Sequence, residues 1–523
     1  MIDGRNVPSG STVNVDLCIV GGGPTGISLA MQYVNKTGIT VALVESGGRE
    51  WDDRTQELAN AKSHGHNYFP MKETHLRVLG GSSLSYGGIC TELSELDFEK
   101  RPWIPESGWP FKKAELDRYL PAAHDLFEVE EGTEESAGGD STPGTTWEKV
   151  LFSPPTRFGK RYADDLDKAV NVTTYLHSTV TSLDLHPDGG HTNAAVVKCF
   201  GGNSYRIAAR HYVLAGGGIE TPRLMLASND VATAGIANEY DNVGRYFQEH
   251  ARATDRYVIP EGTKALTDRI SGAAGTLRFS RLGISEEAQR DEELLNYYVN
   301  LNFGFAGQDT PQWWAIRRVV NASRSPWNDS PYYQDIGGGP NKVRWEDVKT
   351  SIIKPHRTVQ SLFGAALRPN FMRKWVELQS SVEQVPRREN RVALSTSKDE
   401  LGMPRADLHW TLDERERRTY YRGRELILEE LDRLEPGLSK NRMDDPDQWP
   451  DHIFGTWHHA GSTRMHEDAK QGVVDADAKV HGVDNLFVAG SSIFPTSGAT
   501  SPTLTIVCLT LKLAEHLEPI LDT

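Results

Sequence analysis

The chain has 523 residues and a formal net charge of −15. This length exceeds what one simple core needs, so we expect two domains that can bury a large cofactor. The acidic balance argues against nucleic acid or an anionic membrane as a partner, because both repel negative charge. The four cysteines show no C-x-x-C spacing, so we predict neither a metal site nor a disulfide framework.

The N-terminal segment lacks a basic start followed by an apolar run, and no apolar stretch approaches the roughly 18 residues of a membrane span. We therefore expect a cytoplasmic protein without a membrane partner. Residues 131–147 are acidic and rich in Gly, Ser and Thr, which predicts a flexible surface loop. Residues 311–345 are rich in Trp and Tyr, and substrate access, an interface and a small local core are all open interpretations.

A β-α-β unit with a G-x-G-x-x-G turn opens the chain. The apolar run at 16–20 is a predicted strand, and it leads directly into the glycine turn and a helix. Gly21 permits the tight turn, Gly23 lets a pyrophosphate approach the backbone, and Gly26 lets helix and strand pack closely. Glu45 ends the next predicted strand, where a carboxylate can accept the ribose hydroxyls. FAD and NAD both fit this unit.

Two further glycine-rich segments favour a flavin. The loop at 75–88 carries doubled Gly-Gly pairs that permit the backbone to lie against a flat ring such as an isoalloxazine. Residues 211–223 run from an apolar strand through a glycine turn into a helix. A second crossing of this kind is typical of two-dinucleotide or flavin enzymes rather than of simple NAD dehydrogenases.

The segment at 455–506 holds the densest polar chemistry. A histidine is the best single base for taking the proton of an alcohol, and His458 and His459 are both candidates. Adjacent side chains on an extended segment point to opposite sides, so the two do not face a cofactor equally. Pro502 suits the first position of a helix, which predicts Ser501 as its N-cap.

Strand-like runs between residues 256 and 450 predict a sheet that forms the substrate wall. In WVELQSSVEQV, alternation places Gln379 and Ser381 on the polar face, where they could bind sugar hydroxyls or simply meet solvent. Residues 413–435 combine charges and apolar residues at helical spacing, which predicts an amphipathic surface helix.

Several motifs, in order, resemble the glucose-methanol-choline (GMC) family of FAD-dependent oxidoreductases, and within it the pyranose oxidases and bacterial C-glycoside 3-oxidases. They are GGGPTG with Glu45, VLGGSS with YGG, VLAGGGIETPRLML, NVGRYFQEH, HHAGSTRM and SPTLTI. The resemblance implies an α/β fold. A Rossmann-like FAD-binding domain would comprise residues 1–255 and 450–523, and a substrate domain with a mixed or antiparallel sheet and helices would comprise residues 256–449.

The resemblance also implies an activity. A secondary ring hydroxyl of a sugar or glycoside, at C2 or C3, would be oxidised to a ketone with hydride transfer to the flavin. The reoxidant would be O2 or a quinone-like or protein acceptor, and a homo-oligomer is one alternative for the assembly. Oxidation of another alcohol, a flavin-containing lyase of the same family and a non-catalytic flavin-binding protein are the other functions considered.

Residues are carried over by position. His458 matches the family's catalytic base, with His459 as a lesser candidate for a substrate contact. Ser501 is a candidate catalytic residue because it stands where the family usually has Asn or His. Some relatives attach FAD through a histidine at the position of Ser85, so we expect non-covalent FAD here. The implied FAD-binding residues are Gly21, Gly23, Thr25, Gly26, Glu45, Ser46, Gly81, Ser82, Ser85, Tyr86, Gly87, Val180, Ala215, Gly216, Gly490, Ser501 and Thr503.

Overall fold

The structure is a computed structural model, and it describes most of the chain. The described residues are 1–129, 140–148, 150–154, 156–261, 265–270, 280–305, 310–313, 315–316, 345–367, 373–443, 449 and 453–522.

The described residues form strands and helices that alternate along the chain. The strands are β1 Ile2–Asp3, β2 Thr12–Val20, β3 Val41–Val44, β4 Lys62–Gly65, β5 Ile89–Cys90, β6 Thr145–Glu148, β7 Leu151–Phe152, β8 Val172–Leu176, β9 Thr179–Leu185, β10 Thr192–Lys198, β11 Ser204–Leu214, β12 Thr254–Val258, β13 Ser280–Ile284, β14 Tyr297–Phe305, β15 Arg373–Val382, β16 Arg391–Lys398, β17 Pro404–Trp410 and β18 Leu486–Val488. The helices are α1 Pro24–Met31, α2 Asp53–Glu57, α3 Glu95–Phe98, α4 Ala114–Asp117, α5 Leu120–Phe127, α6 Phe158–Arg161, α7 Ala163–Lys168, α8 Gly217–Ala227, α9 Ala265–Ile270, α10 Glu286–Asp291, α11 Trp345–Ile353, α12 Pro355–Leu367, α13 Glu414–Leu434 and α14 Thr503–Leu521.

Within the described residues, the largest sheet has eight strands in the order β1-β8-β3-β2-β11-β10-β9, and β18 pairs with β11. The pairings from β1 to β11 and the β11–β18 pairing are parallel, whereas β10 is antiparallel to both of its neighbours. The β2–α1–β3 unit predicted from the glycine turn is present. The sheet brings the carboxyl ends of β2, β3, β11 and β18 to one edge, which is where parallel α/β sheets bind ligands.

Helices cover this sheet, so its central strands are apolar on both faces. Leu17, Ile19 and Leu43 are fully buried, and each such side chain stabilises the fold by about 1.5–3 kcal/mol. Helix α1 packs on the C-terminal helix α14, and the Tyr33 hydroxyl donates a hydrogen bond of 3.2 Å to the Ala514 carbonyl. The two ends of the chain therefore share one core.

The second sheet has five antiparallel strands in the order β12-β15-β14-β13-β6. Its register pairs Arg281 with Asn300, Asn300 with Gln379, and Gln379 with Thr254. These four residues form one cross-strand row on one face. On the sheet's other side Gly423 of α13 lies so close to Tyr297 that a Cβ at that position would meet the Tyr297 ring at 2.6 Å.

The helix predicted at 413–435 is confirmed as α13. It begins with a capping box in which Asp413 and Glu416 bind each other's backbone amide groups. Its apolar stripe, including Ile427 and Leu431, is buried in the core of the second sheet. The antiparallel sheet expected for the substrate region is likewise present.

Other sequence predictions differ from the structure or lie outside it. Residues 145–147, placed in a flexible loop by composition, belong to β6 because they pair with β13, and residues 130–139 lie outside the described residues. Most of the aromatic segment at 311–345 also lies outside them. Ser501 is not the N-cap of α14, because Pro502 takes that place and the helix begins at Thr503 without a side-chain cap.

No helix within the described ranges is long and apolar enough to cross a membrane. The described apolar side chains form two large clusters, one on each major sheet, together with a small third cluster. The division into domains at residues 255 and 450 stays a prediction.

Replacing Gly26 with alanine tests the packing of α1 on β2. A Cβ at Gly26 would lie 1.9 Å from the Gly21 carbonyl oxygen, and we expect this overpacking to destabilise the protein by about 1–3 kcal/mol. Thermal unfolding measures the loss. Gly190→Ala is the control, because its Cβ would meet no atom closer than 3.6 Å, and it should change stability by less than about 0.5 kcal/mol. Equal unfolding temperatures for both variants would contradict the interpretation.

Candidate functional site

A cavity of about 510 Å³ lies between the carboxyl-end edge of the first sheet and the Arg281–Gln379 face of the second. Its size falls within the range typical of small-molecule and cofactor sites. Residues from the glycine turn, the loop at 81–87, the β11–α8 crossing and the histidine segment all line it. Segments separated by hundreds of residues therefore meet in a single site.

The glycine turn presents backbone to this cavity. Gly21 has a φ of +117°, a conformation that favours glycine. A Cβ at Gly23 would meet no protein atom within 4 Å, so the space in front of Gly23 is open to the cavity. Helix α1 begins there without a side-chain cap, which leaves its first N–H groups and its positive end available to a phosphate. The turn fits the pyrophosphate of FAD.

Glu45 is buried at the edge of the cavity. Its Oε2 accepts a hydrogen bond of 2.8 Å from the Gly22 amide, and its Oε1 accepts one of 2.7 Å from the Gly47 amide. The Ser46 hydroxyl also donates to Oε1, at 3.1 Å. A carboxylate has about four acceptor positions, so Glu45 can still accept from a ribose hydroxyl.

The loop at 81–87 closes over the glycine turn. Residues Gly81–Ser85 form a short 3-10 helix, and a Cβ at Gly81 would lie 3.0 Å from the Cα of Gly23. Arg157 fixes the loop by donating to the Ser83 and Tyr86 carbonyls at 2.8 and 2.6 Å. Ser85 lines the cavity and donates to the Ser82 carbonyl at 3.0 Å.

Almost all of the residues proposed from the sequence line this cavity. Two do not. Gly26 instead packs α1 against the Gly21 carbonyl, and Ser381 is buried with its hydroxyl donating to the Ala499 carbonyl at 2.8 Å. The proposed residues that line the cavity are Gly21, Gly23, Thr25, Glu45, Ser46, Gly81, Ser82, Ser85, Tyr86, Gly87, Val180, Ala215, Gly216, Gln379, His458, His459, Gly490, Ser501 and Thr503.

His458 has a histidine partner that the sequence did not indicate. Its Nδ1 lies 2.9 Å from Nδ1 of His250. Burial lowers the pKa of His458 well below its ordinary value, with further contributions from His250 and Arg252. Burial also lowers the pKa of His250, to about 3. Both rings are therefore neutral near pH 7, and one nitrogen of the close pair carries a hydrogen.

The backbone before His458 has an uncommon conformation. Trp457 has a φ of +64°, in the left-handed region that few non-glycine residues adopt. Such conformations persist only where the surroundings hold them, and they cluster at functional sites. Here the turn brings the two adjacent histidines to one cavity with different partners.

His459 is committed to neighbouring groups. Its Nε2 lies 2.9 Å from the Tyr68 hydroxyl and 3.6 Å from Oε1 of Glu249. Glu249 is fully buried, accepts a hydrogen bond from Tyr68, and binds the amides of His250 and Thr456 at 3.0 and 2.9 Å. Burial raises the pKa of Glu249 and lowers that of His459. This cluster anchors the histidine segment and leaves His458 as the better candidate base.

Ser501 lines the cavity just before α14. The preceding Thr500 hydroxyl accepts a hydrogen bond of 2.8 Å from Arg281 of β13. The N-terminus of α14 and a guanidinium group of the second sheet therefore meet beside the position where serine replaces the family's usual Asn or His.

Sequence reasoning missed several cavity residues on the second sheet: Arg252, Arg281, Tyr298 and Asn300. Tyr298 and Asn300 alternate along β14 in phase with Gln379, so the register would have indicated them, but register is not visible in one sequence. Among the described residues, no group of three or more His, Cys, Asp and Glu side chains is arranged to hold a metal ion.

Replacing Glu45 with glutamine tests the nucleotide end of the cavity. The new amide would direct N–H groups at the Gly22 or Gly47 amide, so one donor loses its acceptor at a cost of about 1–3 kcal/mol. We expect FAD affinity to fall by about tenfold or more, measured by fluorescence titration of the apoprotein. Ser46→Ala removes a single hydrogen bond and should have a smaller effect; equal effects would contradict the assignment.

Residues 386–510 match a family model described as GMC oxidoreductase. Among curated relatives, 6'''-hydroxyparomomycin C oxidase of Streptomyces lividus is 24% identical across 96% of this chain and 92% of its own length. C-glycoside 3-oxidase of Arthrobacter globiformis is 28% identical across 65% of this chain and 53% of its own length.

Solved structures share the fold. Pyridoxine 4-oxidase from Mesorbium loti superposes with a TM-score of 0.56 at 16% identity, covering 96% of this chain and 99% of its own. Formate oxidase from Aspergillus oryzae RIB40, whose structure title refers to FAD modification, also gives 0.56 at 16% identity over 98% and 99% of the two chains. Residues 386–510 therefore match the GMC oxidoreductase family, the chain as a whole is similar in sequence to oxidases, and its fold is that of solved oxidases.

Proposed function

We propose that this protein oxidises a secondary ring hydroxyl of a sugar or glycoside to a ketone, with His458 as the base. One observation carries the proposal: His458 shares a single cavity with the glycine turn and the loop at 81–87. The substrate class is supported by the relatives, which include C-glycoside 3-oxidases and a paromamine 6'-oxidase. We propose C2 or C3 as the oxidised carbon because the sequence motifs resemble those of pyranose oxidases and C-glycoside 3-oxidases.

The reaction removes a hydroxyl proton and a hydride from the same group. FAD, when bound non-covalently in this cavity, supplies the hydride acceptor. The chain supplies the base and the polar surroundings. A neutral, buried histidine has a free lone pair that can take the hydroxyl proton. General-base catalysis of this kind contributes about 100- to 10,000-fold to the rate.

The His250–His458 contact orients that base. Only one of two Nδ1 atoms 2.9 Å apart can carry the hydrogen. We assign it to His458, because His458 Nε2 then keeps a lone pair to receive the hydroxyl proton. His250 is a positioning residue in this scheme, comparable to the groups that fix the tautomer of a metal-binding histidine.

The uncapped N-terminus of α14 completes the polar environment. Its free N–H groups and helix dipole favour negative charge in the adjoining cavity. Arg281 adds a full positive charge beside it through the Thr500 contact. Negative charge that develops on the flavin or the substrate is stabilised at this end of the cavity.

Anaerobic mixing with monosaccharides, O-glycosides and C-glycosides tests the proposal. A substrate should bleach the flavin absorbance, and His458→Ala should slow that step about 100- to 10,000-fold with FAD content unchanged. His186→Gln is the control, because His186 is exposed, pairs with Asp188 and does not line the cavity. Turnover without any bleaching would favour a lyase instead, and bleaching by other alcohols alone would contradict the sugar assignment.

Repeating positive reactions in air separates O2 from other electron acceptors. The cytoplasmic location and the assembly state stay predictions.

The pH dependence of flavin reduction tests the electrostatics of His458. A lowered pKa keeps the ring deprotonated as the pH falls, so the acid limb of the rate should lie below the ordinary histidine value of 6.5. We expect the reduction rate at pH 6 to stay within about twofold of that at pH 7.5. An acid limb centred near 6.5 in rapid-mixing experiments would show that the base is a solvated group.

A further inference from the structure

Two arginines, Arg252 and Arg281, face the cavity from the side of the second sheet. Arg281 lies on β13, and Arg252 precedes β12. Both line the same cavity as His458. Arginine is the side chain best suited to carboxylate and phosphate groups, because its planar fork donates two parallel hydrogen bonds.

Arg281 is held in place from several sides. Its Nε donates to Asn300 Oδ1 at 3.3 Å and its Nη1 to the Thr500 hydroxyl at 2.8 Å. The guanidinium lies 3.8 Å from the centre of the Tyr298 ring. Its nearest carboxylate among the described residues is Glu148, at 3.6 Å. Burial raises the pKa of Glu148, which weakens the compensation of the Arg281 charge.

Arg252 has even less compensation. It forms no ion pair with a carboxylate in the described part of the chain, and its Nε is buried without a hydrogen-bond partner. Burial lowers the pKa of Arg252; Tyr298 and Glu249 oppose this shift in part, and the nearby Arg281 adds to it. Two like charges that share a desolvated site repel each other and cost free energy unless an anion lies between them.

The acidic groups around this wall are already engaged. Glu249 binds Tyr68 and backbone amides. Glu377 pairs with Arg256 at 3.0 Å and accepts from Gln379 at 2.9 Å. The cavity wall therefore carries a net positive charge, although the whole chain is strongly acidic.

We infer that this site takes an anionic alcohol: a sugar or glycoside whose carboxylate or phosphate group binds Arg252 and Arg281 while its ring hydroxyl meets His458. The inference rests on the proposed function and names its substrate class. It also gives a physical reason for serine at position 501. With the substrate held through its charge, a carboxamide clamp beside Pro502 is not required for orientation.

A competing role for the arginines is to stabilise negative charge on the reduced flavin. The two roles differ in what a variant changes. Loss of a substrate contact affects anionic substrates selectively, whereas loss of flavin stabilisation affects charged and neutral substrates alike.

The test uses the FAD-loaded enzyme and pairs of substrates of which one member is anionic and the other neutral. Glucuronate is compared with glucuronamide, 4-carboxyphenyl β-glucoside with its carboxamide, and glucose 6-phosphate with glucose. We expect the anionic member of a pair to reduce the flavin with a higher kcat/KM. In Arg252→Gln that value should fall about 10- to 100-fold for the anionic member and less than about threefold for the neutral one. A preference confined to the two carboxylate pairs identifies carboxylate as the group recognised, and a preference confined to the phosphate pair identifies phosphate.

A binding measurement supplies a second readout. Benzoate and inorganic phosphate are titrated into the oxidised holoenzyme, and the flavin difference spectrum is followed. We expect saturable binding that weakens about tenfold or more in Arg252→Gln. Arg290→Gln is the control, since Arg290 is exposed and paired with Glu99. Arg252→Lys keeps the charge and provides a folded alternative if the glutamine variant does not accumulate; it should retain most of the preference.

The outcomes separate the two proposals. Equal kcat/KM for the members of every pair, or an equal loss for both in Arg252→Gln, overturns the anion inference and leaves sugar oxidation standing. If no sugar or glycoside bleaches the flavin, sugar oxidation fails and the titrations decide the anion site. Absence of saturable binding by both anions then overturns it as well.

Discussion

The structure depends on backbone hydrogen bonding at one edge of the parallel sheet. Strands β2, β3, β11 and β18 end together, and the ladder continues past them through short contacts such as Gly21 N to Val44 O and Ala215 N to Val20 O, both 2.8 Å. Beyond this edge the first turns of α1 and α8 present N–H groups that no side chain caps. Such groups need acceptors, and an anionic dinucleotide supplies them. The position of the cavity is thus a consequence of strand direction.

On the cavity wall formed by the second sheet and the histidine segment, burial determines which side chains are charged. The antiparallel sheet contributes Arg281, Asn300 and Gln379 as one cross-strand row, and the histidine segment packs against its end. Burial keeps the His250–His458 pair neutral, whereas the guanidinium groups stay charged. The fixed positive charges oppose protonation of the histidines and stabilise negative charge that develops nearby. In the proposed reaction, the first wall holds the cofactor and the second wall binds the substrate.

Much of the first wall could be predicted from the sequence, and much of the second could not. The glycine turn, Glu45 and the loop at 81–87 carry their function in local residue types and spacing, because their chemistry is largely that of the backbone. Arg252 and Arg281 lie in segments without a motif, and their relation to His458 depends on strand register across more than a hundred residues. His250 was present in the family motif NVGRYFQEH, but one sequence does not show which histidine it contacts. The Ser501 cap is not formed, because α14 begins at Thr503 after Pro502 and no side chain accepts from its first N–H groups.

The cross-strand row has a consequence for how such an enzyme diverges. Arg281, Asn300, Gln379 and Thr254 belong to four strands and meet only through tertiary pairing. These positions lie on the cavity side of the sheet, and α13 packs on its other side. Each of them can therefore mutate separately without altering the glycine turn and the loop at 81–87. Selection can revise the charge and shape of the substrate wall one strand at a time while the redox apparatus is inherited intact.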